Sequence, residues 1–148
     1  MRGIQYKTMK NNLNHSVFEY LYRDAGNFKS WATLLLIGKV TPTEVLGVRD
    51  KLDGGEFFIP EQIGVPALCQ NLWRSGISPT ADDHPWHEYF ELRAATIDEI
   101  NTLPTWGLAQ CLLDRMNNVS AWNIDQSLAY NALHSNFISE QVKFSKRR

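Results

Sequence analysis

Residues Val17-Phe18-Glu19-Tyr20-Leu21-Tyr22-Arg23 alternate as a strand does, which points to a fold with a sheet in it. Extended, they place Phe18, Tyr20 and Tyr22 on one side and Val17, Glu19, Leu21 and Arg23 on the other, which is the two-residue period of a strand. Asp24-Ala25-Gly26-Asn27 then supplies turn chemistry, and the following FKSWATLLLIGKV is apolar on both faces from Leu34 to Ile37. The pair reads as a hairpin whose second strand, over 28–39, lies inside the sheet. A helix over Phe28 to Leu36, with Trp31, Leu34 and Leu35 inward, competes with it, and periodicity alone does not separate the two.

Helix signals interrupt the strands. Thr41-Pro42-Thr43-Glu44 is a capping box with proline in the first turn, predicting a helix over 42–52 that stops at Gly54-Gly55. Phe57-Phe58-Ile59 reads as a short strand before Pro60. Leu68 and Leu72, with Cys69 and Trp73, recur at helical spacing and predict a helix over 66–74. Over 86–93 an extended reading puts Trp86, Glu88, Phe90 and Leu92 on one face and His87, Tyr89, Glu91 and Arg93 on the other. Thr96-Ile97-Asp98-Glu99 is a second capping box, opening a short turn that ends near Pro104. Thr105 is read as the cap of an amphipathic helix over 105–117 with Leu108, Ala109, Leu112, Leu113 and Met116 on its stripe. A last helix over 123–135 would turn Leu128, Ala129, Ala132 and Leu133 inward. The expected architecture is a single α+β domain: an antiparallel sheet of about four strands covered, mainly on one face, by about four helices. An N-terminal arm over 1–16 precedes this domain over 17–137, and a basic C-terminal tail over 138–148 follows it.

Composition limits the partners. Among the 148 residues, 43% are apolar and 21% charged, the balance of a soluble globular domain. The longest apolar run, Leu34 to Ile37, is far too short to span a bilayer, so no membrane partner is expected. The N-terminal residues lack the apolar region of a secretory signal, which favours a cytoplasmic setting. A formal charge of -1 provides no field to hold nucleic acid, leaving only the basic tail, Lys143 to Arg148, as a local patch. Cys69 and Cys111 sit among apolar neighbours at distant spacing and read as reduced core residues.

Acids and histidines crowd together only in Asp82-Asp83-His84-Pro85-Trp86-His87-Glu88. Carboxylates with imidazoles suit a divalent metal ion, and Asp83, His84, His87 and Glu88 are the candidate ligands. In a strand, however, His87 and Glu88 point to opposite faces, and only a turn or helix would gather the set. On a helix, HEYFE would place Glu91 where an HExxH zinc motif needs its second histidine. The plainer reading is a loop feeding a buried aromatic strand. Nucleophilic catalysis finds no footing: Ser30, Ser75 and Ser78 lack a GxSxG context and neither cysteine adjoins a base. Gly54-Gly55 lacks the lysine and threonine of a phosphate loop.

Aromatic residues exceed what one core must bury, and large amphipathic rings favour contact surfaces. The segment Gly55 to Gly64, GEFFIPEQIG, alternates apolar and polar groups between backbone breakers. It is either a core-crossing connection or a recognition loop, in which case Phe57, Phe58, Glu61 and Gln62, with Trp86, would contact the partner.

The segments YLYRDAGNFK, GEFFIPEQIG and DDHPWHE resemble those of small uncharacterised bacterial proteins. The resemblance covers the central part of the chain and implies a bacterial setting without an activity. The residues together favour a non-catalytic protein-binding or regulatory domain, with no cofactor and a protein partner or homodimer. The alternative is a small metal-assisted hydrolase or nuclease using Asp83, His84, His87 and Glu88 around a divalent ion.

Overall fold

The computed structural model describes residues 14–76 and 83–132. The alternating segment forms β1 (His15–Arg23), and the chain returns as β2 (Lys29–Ile37). The turn between them is held by the Asp24 carboxylate, which accepts from the Phe28 N–H at 2.8 Å, and by Asn27, whose positive φ of 66° its short polar side chain tolerates. Strand wins over helix because every β2 residue has a partner in β1, from Ile37 opposite His15 to Lys29 opposite Arg23. β1 therefore starts inside the expected arm; residues 1–13 and the tail over 138–148 lie outside the described residues.

Four further segments follow the hairpin: α1 (Pro42–Lys51), β3 (Phe57–Phe58), a 3-10 turn (Pro60–Ile63) and α2 (Cys69–Arg74). Then come β4 (His87–Ala94), α3 (Ile97–Thr102), β5 (Thr105–Leu108), α4 (Ala109–Asn117) and a second 3-10 turn (Ile124–Gln126). Residues 128–132 are again helical. Both capping boxes form: Thr41 with Glu44 and Thr96 with Glu99 each exchange side-chain and backbone bonds.

The sheet has five strands in the order β3-β4-β1-β2-β5. Its pairs are antiparallel except β2 with β5, which is parallel, so the α+β domain carries a mixed sheet where an antiparallel one was expected. The difference arises at Thr105, which opens a strand and not a helix. Thr105 and Gly107 align beside Leu35 and Leu36, and α4 begins only at Ala109. Leu108 is consequently exposed instead of lying on the helical stripe, whereas Ala109, Leu112, Leu113 and Met116 are buried. The helix expected over 123–135 is split by the second 3-10 turn; Ala129 is buried, but Leu128 and Ala132 are exposed, and 133–135 lie outside the described residues.

One face of the sheet carries the main core. Phe18, Tyr20, Tyr22, Leu36, Phe58 and Leu92 meet Val48 of α1 and Leu52 just past its end, Leu72 of α2, and Leu112 and Met116 of α4. The other face holds a smaller cluster in which Val17, Leu35 and Ala95 pack under Ile100 and Leu103, contributed by α3 and its end. Strand β4 does not keep the simple alternation expected of it. Glu91 lies opposite Glu19 but Tyr89 lies opposite Tyr20, so Phe90 is an extra residue in a β-bulge. The bulge puts His87, Tyr89 and Leu92 opposite Tyr22, Tyr20 and Phe18, on the main-core side, and leaves Phe90 exposed. Among the described residues no helix is long and apolar enough to cross a membrane.

Candidate functional site

His87 opens β4 opposite Tyr22 and Phe58 and is 1% exposed. Its Nε2 accepts from the Leu68 N–H at 2.9 Å, which assigns the proton to Nδ1, 3.0 Å from the Pro85 carbonyl oxygen. The ring packs on Tyr22, Tyr20 and Phe58. Burial pushes its pKa down to about 3, a neutral imidazole that links β4 to the start of α2.

The rest of the acidic histidine segment is divided by the sheet. Asp83 is buried, and its Oδ1 accepts from the Ala25 N–H at 3.1 Å, tying the approach to β4 onto the β1–β2 turn. His84 packs on the Tyr22 ring, and its Nδ1 accepts from the Trp86 N–H at 3.1 Å. Glu88 faces the opposite way, ion-paired with Arg23 at 3.0 Å. Thus Asp83, His84 and His87 gather near Tyr22 while Glu88 does not, and His87 has both nitrogens engaged. Among the described residues no group of three histidine, cysteine or acidic side chains is placed to hold a metal ion. Asp82 lies outside them.

Other candidates have defined places. Burial, reinforced by the Glu61 carboxylate, pushes the Cys69 thiol up to about 11, so it stays protonated. Cys111, expected in the core, is exposed on α4 because Leu112 and Leu113 take the inward positions. The Ser75 hydroxyl donates to the Leu72 carbonyl, and the Ser30 hydroxyl accepts from the Asn71 amide. Ser78 lies outside the described residues.

The recognition-loop residues separate into two groups. Phe58 is fully buried among Phe18, Tyr20, His87 and Trp122 and has no surface to offer. Glu61 Oε2 accepts from the Ser127 hydroxyl at 2.7 Å and the Ala129 N–H at 3.2 Å. Gln62 donates to the Ala121 carbonyl and accepts from the Asn123 N–H. These two side chains clamp the C-terminal segment onto the core-crossing connection. Phe57 and Trp86, by contrast, stay half-buried at the surface.

Together with Asp53 and His84, Phe57 and Trp86 line a surface cavity of about 300 Å³. Its frame is a tight reversal: the Asp53 N–H donates to the Phe57 carbonyl at 2.8 Å and the Phe57 N–H returns to Asp53 at 3.0 Å, across Gly54 and Gly55. Both glycines adopt positive φ, 61° and 76°, which lets so short a loop close. Asp53 does not stand out in the sequence because DGG has the form of a helix stop. The available signal was the phenylalanine directly after a DGGE turn.

A second surface feature lies on the open face of the sheet, away from the main core. Trp31 and Phe90 meet edge-on with centroids 5.2 Å apart, each 53% exposed. Beside them Arg93 gathers Glu19 at 2.6 Å, Glu99 at 2.7 Å and Glu91 at 3.4 Å. No protein family, curated protein or solved structure matches the chain.

Proposed function

We propose that this chain is a non-catalytic protein-binding domain of a bacterial cytosolic protein and that it takes a partner's side chain into the cavity between Phe57 and Trp86. The observation that carries the reading is the state of those two rings. Phe18, Tyr20, Tyr22 and Phe58 pack ring against ring on one another or on histidine, but Phe57 and Trp86 make no ring–ring contact among the described residues and line an open cavity. Half-buried aromatic rings around a concavity are the usual anchors of a protein contact. Support for the non-catalytic part comes from the DDHPWHE segment, whose described acids and histidines serve as hydrogen-bond and ion-pair supports.

A photo-cross-linking residue at Phe57, expressed in a bacterial host, tests the reading. One discrete adduct that disappears on Trp86→Ala is expected, and an adduct with a second copy of the chain would identify the homodimer. A pattern matching that from exposed Leu128 would overturn the proposal. Elemental analysis separates it from the metal-assisted hydrolase: a stoichiometric divalent ion in protein purified without added metal would favour the enzyme.

A further inference from the structure

We propose that the cavity is selective for a basic side chain, lysine or arginine, presented within a peptide segment of the partner; this rests on the protein-binding reading above. Asp53 lines the cavity, and its carboxylate has no hydrogen-bond or ion-pair partner among the described residues. Nearby cations are committed elsewhere: Lys51 Nζ donates to the Val119 carbonyl at 3.2 Å, and the Arg49 guanidinium lies 6.0 Å from the centroid of the Tyr89 ring. Glu56, exposed in the same turn, adds a second negative charge. A cation entering the cavity therefore comes beside an uncompensated acidic residue and two aromatic residues, whereas an anion meets repulsion.

The other polar groups define what accompanies the cation. His84 Nδ1 is occupied by the Trp86 N–H, which leaves Nε2 as the nitrogen carrying the ring proton. Neither that N–H nor the Trp86 indole N–H has a partner among the described residues. A lining that includes two such donor residues and one acidic residue fits a ligand carrying both a cation and carbonyl acceptors, as a basic residue within a peptide does. The volume, about 300 Å³, is at the lower end for small-molecule sites, room for one side chain and its backbone but not for a nucleotide cofactor.

Two-dimensional NMR of the full chain tests this with blocked glycine-X-glycine peptides in which X is lysine, norleucine or glutamate, and with n-butylammonium. The lysine peptide should shift the Trp86 indole and the Phe57 and His84 signals saturably. Binding should weaken about fivefold with norleucine in its place or on Asp53→Asn, and glutamate should give no saturable shift. Asp53 is exposed and its side chain is unbonded among the described residues, so the variant should retain the wild-type spectrum elsewhere. Equal binding by the norleucine peptide, or unchanged affinity in Asp53→Asn, would overturn the charge selectivity and leave the aromatic docking site standing. Butylammonium binding as tightly as the lysine peptide would overturn the peptide source in favour of a free amine. If no peptide shifts Phe57 or Trp86 at tens of millimolar, both the selectivity and the docking site fall.

Discussion

Taking His87 out of water makes its protonation costly, and the cost should be visible in how stability varies with pH. Its folded pKa of about 3 lies below the ordinary 6.5, so as pH falls the unfolded chain binds that proton first. Unfolding free energy should then drop below pH 6.5, by up to about 1.4 kcal/mol per unit, until the folded form also protonates near its own pKa. Glu99, held at about 2 by its bonds to Arg93, adds a loss only below its ordinary 4.5, so the interval from about pH 6.5 to 5 isolates the histidine. Urea unfolding across that interval should show a flatter dependence in His87→Gln; an unchanged slope would assign the proton elsewhere. At pH 7, His87→Ala should cost about 2–4 kcal/mol, because it opens a void and strands the Leu68 N–H and the Pro85 carbonyl.

At the scale of elements, the ends of strands matter as much as their interiors. Gly38 closes β2 with φ at 121°, and its carbonyl accepts from the Ser16 hydroxyl at 2.6 Å. A Cβ there would lie 3.3 Å from that of Ala109 and force a backbone that other residues avoid. Gly38→Ala should therefore lower stability by about 1–3 kcal/mol, read as a shift in the urea midpoint. On the open face, Arg93 holds β4, β1 and α3 together, with two bonds to the Glu99 carboxylate and one to Glu19. Arg93→Met should cost about 1–2 kcal/mol, and the cost should shrink in molar salt as the remaining acids are screened. The sequence disclosed the elements with strong local grammar: the β1 alternation and both capping boxes. It concealed β5, because Thr105 satisfies a helix-cap pattern and only the neighbouring edge of β2 makes it extended. It also concealed the side-chain directions after Phe90, since one bulged residue reverses the parity of a strand. The site was half legible: Phe57 and Trp86 stood out as aromatics, but Asp53 gains meaning only when the turn folds it against them.

Across the whole molecule, the sheet keeps its long strands inside and its short ones at the edges. β3 has two residues and β5 four, and they pair only with His87 and Glu88 of β4 and with Leu35 to Ile37 of β2, so the rest of the outer row of each long strand has no strand partner among the described residues. The C-terminal segment depends on distant anchors: Glu61, Gln62 and the Trp122 indole, which donates to the Lys51 carbonyl at 2.9 Å. Glu61→Ala removes two bonds to one carboxylate and should destabilise the domain by about 2 kcal/mol. Limited proteolysis should then cut between residues 119 and 132 sooner than in the wild type. Equal cleavage rates would show that the segment is held by its apolar contacts alone. The central position of β1 also has a consequence during synthesis. Its hairpin partner follows at once, but its other neighbour begins only at His87, so one full row of β1 backbone groups waits for the ribosome to supply it. At ordinary elongation rates that wait lasts on the order of several seconds. Throughout it, the nascent hairpin presents a nine-residue edge of β1 to any other strand in reach.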